Sequence, residues 1–369
     1  MMEQTISPLK GPEVKLVMVV TYGCPQRCTY CVIKKYADVM AARDLKAGLE
    51  YVMTTSRPNV QIHFFGGEPL LMPLSRYRDT VAYGNRLAAE RGKTIRWVLT
   101  TGAILLEPRN IDFMREHNFN LEISLDGGPE TQNMNRPVVG RVDAYTMATR
   151  YLPRVFASGM DTHVSMVVSA NRANDLYRDF HHILELGFRK IFIMPANGDD
   201  WEVQALRALH SNLDRLYPDC LSLIRSGRLN FYNIKDWQAP FRLNTELAVS
   251  VEGDMTYTYN CCLVRDHLRP EFTMGHVTAV TESFDSMYDR RMTNEECIPV
   301  FFKHAIKAPS WLKNNIESGM IVTRFVQALK DDLGIRDDLY RRNEVYIKSY
   351  DRRMKPEAWF DPQSLTEAA

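Results

Sequence analysis

The chain has 369 residues, with 46 Lys and Arg against 45 Asp and Glu, so its formal net charge is +1. That balance supplies no electrostatic reason to expect a nucleic-acid or membrane-surface partner. No apolar stretch reaches the roughly 20 residues of a membrane-spanning helix, and residues 1–13 hold Glu3, Glu13 and two prolines instead of a basic apolar leader, which predicts a cytoplasmic address. Seven cysteines, an odd number scattered through a long chain, suit a reducing compartment better than a disulfide framework.

The apolar residues 15–21 predict a first strand. It runs directly into Thr21-Tyr-Gly-Cys-Pro-Gln-Arg-Cys-Thr-Tyr-Cys, which places Cys24, Cys28 and Cys31 within eight residues. A cubic 4Fe-4S cluster takes four thiolates, so three leave one iron open to a substrate or cofactor. The same thiolates also suit a structural zinc with a distant fourth ligand. Zinc loops, however, usually pair Cys-x2-Cys with a second Cys or His pair, and the sequence offers none. On the residues alone both readings stand.

Further strands are predicted at 60–65, 95–101, 121–125, 163–168 and 191–194, alternating with helical stretches at 41–54, 75–91, 110–117, 144–158 and 174–186. This is the pattern of repeated βα units around a parallel sheet. Chemistry in such sheets sits at the strand ends. The second strand ends in Phe64-Phe-Gly-Gly-Glu-Pro69, where Gly66 and Gly67 let the backbone approach a ligand closely and Glu68 offers an acceptor for an ammonium group. The fourth ends in Ile123-Ser-Leu-Asp-Gly127, with Arg136 downstream. Residues 201–227 read as a helix interrupted by Pro218, residues 229–280 as short β segments, and the chain beyond Cys297 as mainly helical.

The spacing Cys24-x3-Cys28-x2-Cys31, with Tyr30 before the last cysteine, resembles the cluster loop of the radical S-adenosylmethionine enzymes. The Gly66-Gly67-Glu68-Pro69 motif and the Ser124-x-Asp126-Gly127 motif with Arg136 extend that resemblance toward the peptide-modifying, sulfatase-maturase-like members, over roughly residues 14–200. It implies a partial (β/α)6 TIM-like barrel at 14–200, a SPASM- or twitch-like α+β extension at 201–297 and a helical segment at 298–369. It also implies that the cluster's open iron chelates the methionine amine and carboxylate of S-adenosylmethionine. Gly66, Gly67 and Glu68 would cradle the amine, Ser124 and Arg136 would hold the carboxylate, and Tyr30 and Met194 would flank adenine. Asp126 would organise local hydrogen bonds. Thr100-Thr101-Gly102 stands where the family usually has Thr-Asn-Gly.

Downstream, Cys261, Cys262 and Cys297 are candidate ligands of an auxiliary iron-sulfur cluster. Three thiols do not complete a four-thiolate site, so the expectation is a degenerate extension without that cluster. The resemblance implies reductive cleavage of S-adenosylmethionine and hydrogen abstraction from a peptide or protein side chain, with flavodoxin or ferredoxin as electron donor. Only 23 residues precede Cys24, which leaves no room for an N-terminal leader-binding domain and keeps a small biosynthetic intermediate as an alternative substrate. A non-catalytic zinc or redox-sensing scaffold is the alternative from another class.

Overall fold

The computed structural model describes residues 12–140, 142–237, 239–240, 246–257, 272–291 and 309–353. Cys261, Cys262 and Cys297 lie outside the described residues. In chain order the elements are β1 (Glu13–Thr21), α1 (Ala42–Val52), β2 (Asn59–Gly66), α2 (Leu74–Glu90), β3 (Thr94–Thr101), α3 (Pro108–Glu116) and β4 (Asn120–Ser124). They continue with α4 (Pro129–Asn135), α5 (Ala144–Thr149), α6 (Leu152–Ala157), β5 (Thr162–Val168), α7 (Leu176–Glu185), β6 (Lys190–Pro195), α8 (Val203–Arg225), β7 (Asn230–Phe231) and α9 (Asn233–Asp236). The last are β8 (Leu247–Val249), β9 (Asp254–Thr256), β10 (Thr273–His276), α10 (Phe284–Asp289), α11 (Pro309–Asp332) and α12 (Asp338–Arg353). The result is a mixed α/β fold with a mostly parallel sheet.

Two compact units divide the chain. The first comprises Met1–Ser124, Arg136–Thr162 and Leu243–Cys297. Its strands run in the order β10-β9-β8-β1-β2-β3-β4, parallel from β8 to β4 and antiparallel at β9 and β10. β1 is the innermost, and from Leu16 to Val20 every side chain is fully buried. A strand covered on both faces reads as an unbroken apolar run, not as an alternation. Next to it Phe64 of β2 stacks on Trp97 of β3, ring centroids 5.7 Å apart, and meets Tyr77 of α2 edge-on at 5.1 Å.

The second unit comprises Leu125–Asn135, His163–Arg242 and Ile298–Ala369, with β5, β6 and β7 parallel. Here α8 continues through Pro218 instead of being interrupted by it. The ring removes one backbone donor, but the buried face of Leu209, Leu213, Leu216 and Cys220 runs past it on both sides. Packing against α11 adds a Tyr217 hydroxyl donating to the Ala328 carbonyl at 3.1 Å. Tertiary packing outweighs the local penalty. The opposite correction applies at 144–158, expected as one helix and found as α5 and α6. Pro153 stands in the first turn of α6, where its missing N–H costs nothing.

Two helix glycines give a paired test of core packing. A β-carbon on Gly84 of α2 would stand 2.6 Å from Cη2 of Trp97, a rigid ring, whereas the tightest contact of one on Gly48 of α1 would be Met18 Cε at 2.9 Å, the end of a flexible side chain. Overpacking typically costs about 1–3 kcal/mol, against a helix-propensity gain of about 1 kcal/mol for Gly→Ala. Gly84→Ala should therefore lower the thermal midpoint, and Gly48→Ala should leave it unchanged or raise it. Equal midpoints for the two variants would contradict this packing.

Candidate active site at the cysteine loop

Cys24, Cys28 and Cys31 are all half-buried, on the loop that leaves the C-terminal end of β1. Backbone hydrogen bonds to residues 137–139 and within the loop itself hold it. The Arg27 N–H donates to the Pro137 carbonyl at 2.7 Å, the Val139 N–H to the Pro25 carbonyl at 3.0 Å, and the Cys31 N–H to the Cys28 carbonyl at 3.0 Å. Further on, the Thr21 hydroxyl donates to the Asp38 carbonyl at 2.6 Å, which folds residues 32–38 back toward the strand end.

Two of the thiols have donors aimed at them. The Gln26 N–H points at Cys24 Sγ over 3.4 Å, and Lys35 Nζ at Cys31 Sγ over 3.2 Å. Burial pushes the Cys24 thiol up to about 12, reinforced by Glu68 and Cys28 and opposed by the Gln26 N–H and Lys35. A thiolate, not a thiol, is the metal ligand, so occupation of the site and proton release are linked.

The Gly-Gly-Glu-Pro loop lies directly against the root of the cysteine loop. Gly67 N–H donates to the Thr21 carbonyl and Glu68 N–H to the Gly23 carbonyl, both at 2.8 Å. Gly66 has φ +137°, and a β-carbon there would stand 2.2 Å from the Thr21 oxygen; one on Gly67 would stand 2.1 Å from the Gly23 oxygen. Glycine is required at both positions because one backbone presses on another. The sequence points to close approach of this backbone to a ligand; the close approach in the structure is to the cysteine loop.

Glu68 is completely buried. Its Oε1 accepts from the Leu70 N–H at 3.0 Å and the Thr101 hydroxyl at 2.7 Å, and its Oε2 from the Gly102 N–H at 2.9 Å. Burial raises its carboxyl above the usual range, opposed by these same three bonds. The carboxylate thus braces the loop after β2 to the loop after β3, and Thr101, standing where the family pattern has Asn, is one of its donors.

Arg136 is buried, with its guanidinium carbon 5.5 Å from the centre of the half-buried Tyr30 ring. Ser124 is half-buried at the end of β4. Met194 is half-buried near the end of β6, and Asp126 is buried; both belong to the second unit. Asp126 Oδ1 accepts from the Val167 N–H and Oδ2 from Asn135 Nδ2, each at 3.1 Å, and its N–H donates to Gln132 Oε1 at 2.9 Å. It is the hydrogen-bond organiser expected of it. Sequence reasoning missed Gln26 and Lys35, since the spacing inside a cysteine loop carries no sign of which intervening side chains turn inward.

The donor set bears differently on a single zinc ion and on a cubic cluster. Among the described residues no three Cys, His, Asp or Glu side chains converge closely enough to share one metal ion, the arrangement that a mononuclear zinc site requires. A cubic cluster needs less convergence, because each thiolate binds a different iron. Three half-buried thiols on one braced loop fit that demand.

Three half-buried thiols on one loop at the C-terminal end of a parallel strand make this a candidate metal or cluster site. Residues 18–200 match the Radical SAM superfamily, and the chain belongs to it. A serine-type anaerobic sulfatase-maturating enzyme of Bacteroides thetaiotaomicron is 30% identical over 135 residues, which are 34% of this chain and 32% of that protein. A cysteine-type counterpart of Clostridium perfringens is 22% identical over 182 residues, 47% of this chain and 49% of that one. The chain thus spans about a third to about a half of these relatives' lengths, 32% and 49%. Among solved structures, native anSMEcpe with bound AdoMet and Cp18Cys peptide superposes with TM-score 0.65 at 18% identity, covering 80% of this chain and 84% of that one. SuiB of Streptococcus suis bound to precursor peptide SuiA gives 0.51 at 12% identity, covering 83% and 70%. These likenesses establish the partial-barrel fold.

The brace has a consequence independent of any ligand. Glu68→Gln keeps the side chain's size but turns an amide donor toward groups that are themselves donors. Leaving buried donors unsatisfied costs about 1–3 kcal/mol. The variant should therefore lose about that much stability in urea unfolding of the metal-free protein. A midpoint equal to wild type would show that Glu68 does not brace the two loops.

Proposed function

We propose that this protein is a radical S-adenosylmethionine enzyme that abstracts a hydrogen atom from a peptide or protein side chain and so begins its modification. The observation that carries the reading is the set of three half-buried thiols on one loop, pressed against Gly66-Gly67 and held at the mouth of a parallel sheet. In this reading Cys24, Cys28 and Cys31 hold a 4Fe-4S cluster. When bound, the cluster supplies the electron that cleaves S-adenosylmethionine to methionine and a 5′-deoxyadenosyl radical, which takes the substrate hydrogen. The peptide as substrate is supported by the names of the relatives, which are sulfatase-maturating enzymes, and by the peptides bound in two of the similar structures.

The chain's own residues bind and orient. Arg136 supplies a guanidinium matched to a carboxylate, and it stands over the Tyr30 ring. Ser124 adds a hydroxyl at the end of β4. The Gly66-Gly67-Glu68 loop shapes the floor, and Glu68 contributes negative potential to a site that is to receive an ammonium group. The role of Met194 against adenine rests on the resemblance alone. Lys35 and the Gln26 N–H, already directed at sulfur, would donate to thiolates, which affects how readily a cluster is reduced. The division into a barrel at 14–200, an extension at 201–297 and a helical segment at 298–369, the cytoplasmic address, and flavodoxin or ferredoxin as donor are parts of the same proposal. Among the described residues no helix is long and apolar enough to cross a membrane.

Anaerobic reconstitution followed by reduction in the presence of S-adenosylmethionine should yield 5′-deoxyadenosine, and the combined change of Cys24, Cys28 and Cys31 to alanine should abolish both the brown chromophore and that product. A set of cysteine-, serine- and arginine-containing peptides, offered beside amino acids, sugars and nucleosides, should give a mass-shifted peptide. Turnover that modifies only small metabolites would contradict the substrate class.

Iron content tests the extension. We infer that Cys261, Cys262 and Cys297 hold no second cluster, so iron should saturate near about four per chain and stay there in Cys261→Ala, Cys262→Ala. A count of about eight that falls by half in the double variant would overturn this inference.

A further inference from the structure

We propose that Gln26 is a positioning residue that ties the cysteine loop to Arg136 and thereby sets the affinity for S-adenosylmethionine; the inference rests on the function proposed above. Gln26 lies between two candidate cluster ligands, yet its side chain is only 2% exposed. Burying a carboxamide is costly unless its polar atoms are placed against partners. Its Nε2 donates to the Arg136 carbonyl over 3.5 Å. Its backbone forms an antiparallel bridge with Val138, so side chain and main chain grip the same segment.

The other end of the carboxamide accounts for a glycine that backbone geometry does not require. A β-carbon on Gly102 would stand 2.1 Å from Gln26 Oε1 and 3.1 Å from its Cδ. Gly102 is absent from the glycines with positive φ, so an alanine there meets no backbone strain and is opposed by Gln26 itself. Gly102 N–H is also the donor to Glu68 Oε2 at 2.9 Å. A continuous line of contacts therefore runs from Glu68 through Gly102 and Gln26 to Arg136, whose guanidinium stands over Tyr30. Through Gln26, the loop that carries the thiols also holds the arginine that would receive the methionine carboxylate.

The test uses the anaerobically reconstituted full chain, with iron and sulfide assays beside equilibrium dialysis of radiolabelled S-adenosylmethionine. Gln26→Leu, similar in volume but without a donor, should keep its iron and bind S-adenosylmethionine roughly tenfold more weakly, the usual scale for losing a supporting contact behind a ligand-binding group. Gly102→Ala should weaken binding in the same direction, because the new methyl displaces the carboxamide. In a Gln26→Ala background Gly102→Ala should add no further loss, since the group it displaces is gone. Such non-additivity marks direct coupling, which a general loss of stability would not produce. Wild-type affinity in Gln26→Leu, or equal penalties from Gly102→Ala in both backgrounds, would overturn the proposal. Loss of iron from Gln26→Leu would also overturn it, by assigning Gln26 to the folding of the cysteine loop alone. If wild-type protein holds its iron yet binds no S-adenosylmethionine, the proposed function falls together with this inference, and that result is distinct from a defect confined to the variants.

Discussion

Two stretches of backbone, Thr21–Gly23 and Gly66–Gly67, pass so close together that no β-carbon fits between them, and the rest of the site is arranged around that contact. The hydrogen bonds from Gly67 and Glu68 to the carbonyls of Thr21 and Gly23 fix where the cysteine loop begins. They also turn the Glu68 side chain inward, where its carboxylate collects Thr101 and Gly102 from the next loop. Gly102 in turn leaves space for Gln26. The thiols, the acidic brace and the arginine are thus placed by one connected set of contacts within a single compact unit. Such preorganisation is what binding of a zwitterionic cofactor beside a metal cluster demands.

The β8–β9 segment supports this arrangement from the other side of β1. Ala248 and Val251 join Val17, Val19 and Tyr22 in one buried cluster, against which Ile33 and Tyr36 of the cysteine loop pack. The Tyr36 hydroxyl reaches Glu252 Oε1 at 3.0 Å, and Ser250 holds the other oxygen of that carboxylate at 2.9 Å. Residues more than 200 positions downstream therefore help to shape the loop after Cys31.

Much of this was legible in the sequence, for identifiable reasons. The buried parallel strands are unbroken apolar runs, and their ends coincide with the glycine-rich and cysteine-rich motifs, so the alternation of elements and the location of the chemistry could both be read. The inward turn of Glu68 could not. An exposed acceptor and a buried brace look alike in a Gly-Gly-Glu-Pro string, and only the donors on the following loop distinguish them. Gln26 was hidden because loop residues between ligands follow no periodicity. The parallel pairing of β8 with β1 is a contact between residues such as Leu16 and Leu247, and three-residue strands carry too little pattern to announce a distant partner. Pro218 misled in the other direction: its local penalty is real, but the apolar face of α8 runs past it, and packing against α11 decides the outcome.

In the proposed function the three-thiol loop presents a cluster with one iron open to the methionine end of S-adenosylmethionine. Electron-nuclear double resonance of the reduced, reconstituted protein with S-adenosylmethionine labelled with nitrogen-15 at the amino group tests it directly. The expected result is a hyperfine coupling that shows the nitrogen bound to the cluster and that disappears when the label is omitted. A cluster signal that is intact but carries no coupling to the labelled amine, at concentrations where S-adenosylmethionine is bound, would contradict it.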